Sequence, residues 1–482
     1  MPLLLDCPTR RAGLCCPLRT EMTWTAPHKV SVMTGPAHYR EPDLVQALVA
    51  RTLAALDLPV DFIRAGDRVV LKPNWIKEHD EQHPGPDQWE HVVTHPTVIE
   101  AVTLWAAQRL RGRGAITICD APQTDSSFAK LREYCGLDGL VHRCRKDFPG
   151  IEIALLDLRP EEWHAVDGVT VSKTKLPGDP LGSTQVRLDA ASEFVGYPGC
   201  GRLYGASFDM AETNARHTGA CHEYLLCRTP MEADVLINLP KLKTHKKVGV
   251  TCALKNLVGI NANKNWLPHH TEGTPDRGGD QFPVATTKAR LEHCWMGMAK
   301  RWLKNRPALS RVFVPLKKAG RVVFGDTQHV VRSGNWHGND TCWRMVLDLN
   351  KCLFFFDGAG ERRGKPLRYL ALVDGIIGGE GNGPMSPDPT PCGVVLAGTH
   401  PTAVDAVAAT LMGFDWQKLR LLKNSFAMRE LNFVPFQPGD IEVVSDKAAW
   451  SGKLDRMEET FSFLPHFGWV GALETDRRAP AS

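Results

Sequence analysis

The chain is expected to be an α/β protein: a mainly parallel sheet flanked by helices, interrupted by a polar and helical insertion. Three observations point there. Short apolar runs end in polar or charged residues, as 68–71 does before Lys72-Pro73-Asn74 and 115–119 does before Asp120. Stretches with helical apolar spacing alternate with them, over 41–56 and 96–110. The joints between the two kinds of element are mostly short and polar, the pattern of strand–helix–strand units.

Composition sets the bounds. A chain of 482 residues has room for two or three domains, or for one large domain with insertions. Hydrophobic content of 43% and charged content of 23% are ordinary for a globular protein. A formal net charge of +4 is small for this length, so nucleic acid is not an expected partner. Fourteen cysteines include no C-x-x-C pair, which argues against an iron–sulfur cluster motif or a zinc ribbon. Thiols scattered in this way suit a reducing compartment, and a cytoplasmic protein is expected. No transmembrane segment is expected, because no window reaches about 18 uninterrupted apolar residues.

In chain order, residues 1–22 read as a disordered leader, with Met22 an alternative start. The first part of the α/β core is expected over 23–260. Glu41 and Asp43 sit at the N-terminal end of the first helix, where the helix dipole favours them. Thr94-His95-Pro96 opens the second helix with a cap and a first-turn proline, and Gly112-Arg113-Gly114 ends it. Residues 128–158 hold a helix and a strand at 151–156, and ribbons are expected at 169–173 and 185–188. An insertion over 261–365 follows: a polar loop, basic helices within 286–324 and the knot Ser333-Gly334-Asn335-Trp336-His337-Gly338-Asn339-Asp340. The core resumes over 366–447, with strands at 369–377 and 393–397 and a helix at 400–412. Residues 448–482 read as a peripheral tail.

One stretch concentrates the chemistry. Residues 235–239 form a buried strand, and past Pro240 come Lys241, Lys243, Thr244, His245, Lys246 and Lys247, then Lys255 and Asn256. If the chain stays extended, its period of two puts Lys241, Lys243 and His245 on one face. Gathered cations call for an anion, and the carboxyl edge of an open α/β sheet is where ligands bind. A solvated lysine-rich surface is the competing reading. Asp120 and Asp374, at or near strand ends, suit acid/base work beside lysines. Asp405, in the first turns of its helix, needs only a structural role. Glu380, between glycines in the loop 378–384, is presented rather than packed, although that loop matches no nucleotide fingerprint and suits a tight turn. His245, His269, His270 and His337 could ligate a metal, but none of their spacings is that of a helical ligand pair.

Several of these stretches together resemble domain-of-unknown-function family 362. They are Lys72-Pro73-Asn74, Thr94-His95-Pro96, Asp120-Ala121-Pro122, Leu239-Pro240-Lys241-Leu242-Lys243-Thr244-His245 with Thr251, and Lys255-Asn256-Leu257-Val258-Gly259. Asp374, Glu380-Gly381-Asn382-Gly383-Pro384 and Ala403-Val404-Asp405-Ala406 complete a set in family order over about 66–415. Some family members carry an appended ferredoxin module; the cysteine-rich module is lacking here, so that association does not transfer. The inserts KNWLPHH and SGNWHGND are similar to those of a subfamily associated with bacterial polysaccharide gene clusters. A fainter similarity to the nickel-cofactor lactate racemases would make Lys255 the analogue of a cofactor-holding lysine.

The expectation is an enzyme binding a small anionic molecule, a carboxylate or a phosphorylated sugar. Lys72, Asn74, Lys241, Lys243 and Asn256 would bind it; His245, Lys255, Asp120, Asp374 and Glu380 would serve the chemistry. The alternatives are a metal- or cofactor-dependent redox or isomerase protein, and a non-catalytic binding protein of a surface-polysaccharide system. The cofactor, if any, and the oligomeric state stay open.

Overall fold

The computed structural model describes residues 26–166, 169–206, 209–285 and 330–474. The expected leader and the basic helices of 286–324 lie outside the described residues. The core is an 11-stranded sheet. Its strands in chain order are β1 (Lys29–Thr34), β2 (Arg68–Pro73), β3 (Gly114–Asp120), β4 (Ile151–Asp157), β5 (Val235–Leu239), β6 (Lys241–His245), β7 (Gly249–Thr251), β8 (Arg368–Glu380), β9 (Asp388–Gly398), β10 (Glu442–Ser445) and β11 (Gly452–Lys453).

Across the sheet the order is β11-β10-β1-β9-β8-β5-β2-β3-β4. The run β8-β5-β2-β3-β4 is parallel throughout. Antiparallel pairs form where β9 meets β8 and β1. The long β8 is shared: its first half pairs β5, and its second half pairs β6 in parallel. Pro240 marks the handover, and its carbonyl accepts the Asp374 N–H at 2.9 Å.

Both faces of the sheet are covered, so its central strands are apolar on both sides. Val69, Leu71, Val235, Ile237 and Leu239 pack into one layer with α1 (Pro42–Ala54), α2 (Pro96–Leu110) and α4 (Leu137–Asp147). A short α3 (Phe128–Tyr134) precedes α4. Val70 and Leu236 point the other way, into a layer with α6 (Cys342–Phe355) and α7 (Pro401–Leu411). The four-residue α5 (Ala253–Asn256), directly after β7, packs within this second layer against α6 and α7. The sequence motif Thr-His-Pro opens both α2 and α7. In each, the histidine Nδ1 accepts the N–H two residues on, from Thr97 at 3.1 Å and from Thr402 at 3.2 Å. His95 is therefore the cap of the first.

Two expectations are corrected. The loop expected at 378–384 starts later, because β8 continues to Glu380 and pairs with β9. The segment after 447 is not peripheral: Trp450, Leu454, Phe463, Trp469 and Leu473 are buried in the core. It straps the β6–β7 hairpin, with Trp469 Nε1 donating to the Lys246 carbonyl at 2.8 Å. Its long polar spacers hide the few large apolar residues that anchor it.

Candidate functional site

The carboxyl ends of β2 and β3 lie side by side, and their first polar residues meet. Lys72 Nζ is 2.8 Å from Asp120 Oδ1, with both side chains buried. Lys72 also donates to the Pro73 carbonyl at 2.8 Å and to Asn256 Oδ1 at 3.2 Å. Asp120 accepts the N–H of Trp75 and of Ala121, each at 2.8 Å. An asparagine chain ties these strand ends to β5. Asn74 Nδ2 donates to Asn256 Oδ1 at 2.8 Å, and Asn256 Nδ2 to Asn238 Oδ1 at 2.7 Å. Asn238 in turn donates to Tyr369 Oη at 2.8 Å. Gly259 closes over the ion pair: a Cβ there would stand 1.8 Å from Asp120 Oδ1 and 2.6 Å from Lys72 Nζ.

The chain does stay extended past Pro240, but its lysines find separate partners. Lys241 Nζ lies 2.9 Å from Asp374 Oδ2 and 2.6 Å from Tyr39 Oη, and Tyr39 donates to Asp374 Oδ1 at 2.6 Å. His95 supplies its backbone N–H to the same carboxylate at 2.9 Å and stacks its ring on Tyr39 at 3.6 Å. Lys241 and Asp374 are both 0% exposed. Burial pushes the lysine down and Asp374 opposes that; burial and Asp374 together push Tyr39 well up. Lys243 is equally buried, yet it faces only the carbonyls of Val92 and Pro384. Burial, with Lys241 and Lys255 adding repulsion, pushes it well below the ordinary lysine range.

A second group gathers beyond the strand ends. Asp405, on α7, accepts the N–H of Ala253 at 2.6 Å and of Leu254 at 2.9 Å. It thus caps α5 and sets the direction of Lys255 two residues on, a structural role across helices rather than within its own. Burial raises this carboxyl to about 7. Lys255 is 7% exposed and, among the described residues, makes no hydrogen bond or ion pair. Burial lowers it, and Lys72 lowers it further. Lys247 and Lys264 reach the same region, each lowered by burial to about 8. Lys264 donates to the Ala121 carbonyl at 2.8 Å, and Lys247 to that of Ser333.

Two histidines complete the group in opposite tautomers. His245 Nδ1 accepts the Lys247 N–H at 3.0 Å, which leaves its hydrogen on Nε2. His269 Nδ1 faces the Leu267 carbonyl at 2.8 Å and must donate, which leaves a lone pair on Nε2. Burial drives both well below the usual imidazole range, and Lys255 is the strongest charged neighbour of each. One imidazole can donate a hydrogen bond from Nε2 and the other can accept one there. The carboxylates nearby are engaged: Asp120 by Lys72, and Asp280 by Thr271, Asp340 and Thr341.

The remaining expected site residues lie elsewhere. Glu380 accepts the Leu464 N–H at 2.8 Å and pins the C-terminal strap. The glycines beside it serve close packing, since a Cβ on Gly383 would stand 2.1 Å from the Thr244 carbonyl oxygen. His270 stacks on Tyr204 at 4.6 Å, and His337 is an exposed neighbour of Gly468. Among the described residues, no three His, Cys, Asp or Glu side chains are grouped to hold a metal ion.

Lys72, Asn74, Asp120 and Asn256 therefore form one contact network, and Lys241 with Asp374 a sealed one. Lys255 and His245 belong to a third group that also contains Lys247, Lys264 and His269. Sequence reasoning missed Tyr39, Asn238 and Lys264, named Lys247 in the basic array without assigning it to the site, and weighed His269 only as a metal ligand. Asn238 had a signal: an asparagine between Ile237 and Leu239 in a strand buried on both faces must find hydrogen bonds. Tyr39 had none, because nothing local links it to Asp374.

No helix among the described residues is long and apolar enough to cross a membrane. A thylakoid-associated protein of Synechocystis sp. is 25% identical over 190 residues, 39% of this chain. The match spans 36% of that relative's own length. Lys72, Asn74 and Asp120 precede the span matched by a family model, whereas Lys241, Lys255, His269 and Asp374 fall within it. The family model described as domain of unknown function (DUF362) matches residues 191–410 of this chain.

Proposed function

We propose that this protein is an enzyme that binds a small anionic molecule, a carboxylate or a phosphorylated sugar, beside Lys247, Lys255 and Lys264. The observation that supports it is a surplus of cations, Lys255 buried and Lys247 and Lys264 half-buried, whose neighbouring carboxylates are already engaged. Buried charge is costly unless matched, so a bound anion would relieve the repulsion that the lysines exert on one another. His245 and His269 would stand beside it as hydrogen-bond donor and hydrogen-bond acceptor. Lys72, Asp120 and the asparagine chain would hold the strand ends in place, with Lys241 and Asp374 fixing β6 to β8. The unpaired, mostly buried thiols of the described cysteines favour a reducing compartment such as the cytoplasm.

Thermal melting with phosphate, malonate and a hexose phosphate tests the reading. Stabilisation of the wild type by at least one of them, weakened in Lys247→Met and Lys255→Met, is the expected result. No shift with any of the three would remove the anion site. A shift without turnover of such molecules by the isolated protein would favour a non-catalytic binding protein.

A further inference from the structure

Resting on that anion-site reading, we propose that Lys255 Nζ is a nucleophile that forms an imine with the carbonyl carbon of a small 2-oxo carboxylate, whose carboxylate group Lys247 and Lys264 would hold. The inference begins with what the lysines touch. Lys72 and Lys241 each face a carboxylate, Lys243 and Lys264 face backbone carbonyls, and Lys247 faces a carbonyl and His270. Among the described residues Lys255 alone of this set has no such partner. Its side chain is buried but not fully enclosed, with 7% of the residue exposed.

The position is built rather than incidental. Asp405 caps α5 through two N–H groups, and Asn256, next in the chain, is locked to Asn238 and Asn74. A lysine held by its backbone on both sides, with its amine free of hydrogen bonds, is suited to attack rather than to structural pairing. Loss of solvation, the largest effect, favours the neutral amine, the form with a lone pair; Lys72 adds to it and Cys342 opposes it. His269, with its Nε2 lone pair, can accept a hydrogen bond from the amine. His245, with hydrogen on Nε2, can donate a hydrogen bond to the carbonyl oxygen, while the protons pass through solvent.

The step balances without an oxidant or reductant. The Nζ lone pair adds to the carbonyl carbon, and the nitrogen gives up two hydrogens over addition and dehydration. The carbonyl oxygen takes up two protons and leaves as water while the C=N bond forms. The cationic lysines would favour a carbonyl compound that bears an anion over a neutral aldehyde.

Reductive trapping decides it. Wild type is incubated with pyruvate and cyanoborohydride near neutral pH, and the modified lysines are mapped by peptide mass. Labelling at Lys255 should outpace that at the exposed Lys453, because burial favours the neutral, nucleophilic amine at Lys255. Lys255→Arg should lose the fast label. Equal rates at Lys255 and Lys453, or a fast label that persists in Lys255→Arg, would overturn the proposal. If that variant fails to fold, the rate ratio in the wild type decides alone. Malonate, an anion without the reactive carbonyl, separates the two ideas: stabilisation by malonate without trapping ends the imine alone, and neither effect ends the anion site as well.

Discussion

Lys72 Nζ stands 2.8 Å from Asp120 Oδ1, and Gly259 lies against both atoms with no room for a Cβ. Three sequence-distant segments, the ends of β2 and β3 and the turn after α5, thus meet at one buried ion pair. Asp120→Ala would leave Lys72 buried without its counter-charge. A loss of about 3–5 kcal/mol in urea unfolding is expected. Gly259→Ala should cost about 1–3 kcal/mol through overpacking at the same point.

Lys241, Asp374 and Tyr39 form the sealed counterpart on β6 and β8. Asp374→Ala is expected to lose about 3–5 kcal/mol for the same reason. Tyr39→Phe should lose less, about 1–3 kcal/mol, since it removes one hydroxyl between two charged partners. Equal losses for the two variants would mean that the tyrosine, not the ion pair, holds β6 to β8.

Anion binding should depend on pH through Lys247 and Lys264. Burial lowers each to about 8, so both are charged below that value and lose charge above it. Affinity for malonate should therefore be retained below about pH 8 and fall as pH rises through it. Stability has the opposite sign: a cation whose folded pKa is depressed binds its proton more weakly when folded. Its penalty is full below about 8 and disappears as pH rises towards the unfolded value. Titrations of malonate-induced melting shifts between pH 6 and 10 check both.

Asp405 offers a separate pH signature. Burial raises its carboxyl to about 7, above the ordinary 3.8. The folded state then holds this proton more tightly than the unfolded one, so the contribution is full below about pH 4 and lost as pH rises through 7. Stability curves of wild type and Asp405→Asn should diverge across that window. Parallel curves would show that the two α5 N–H groups stabilise the anion more than burial opposes it.

Trp469 tests the C-terminal strap. It is 2% exposed and bonded to the Lys246 carbonyl, so Trp469→Ala should cost about 3–5 kcal/mol in unfolding. A near-neutral result would restore the reading of this segment as peripheral.

Much of the fold was legible because it rests on local patterns. The short apolar runs at 68–71 and 235–239, the Thr-His-Pro helix starts and the polar residues after each strand all act over a few positions. They determine the α/β class, the parallel central strands and the arrival of Lys72, Asp120 and Lys241 at one edge. The strap after 447 was not legible, since a few large apolar residues in a polar stretch show no period. Partner choice was also beyond local pattern. Whether a lysine meets a carboxylate, a carbonyl or nothing depends on residues up to hundreds of positions away, as Lys241 depends on Asp374 and Tyr39. The sequence alone therefore determined that cations crowd one edge of the sheet. Only the tertiary structure decided that Lys72 and Lys241 are paired and that Lys255 has no partner among the described residues, because charge matching in a buried site is settled by distance and solvation rather than by order along the chain.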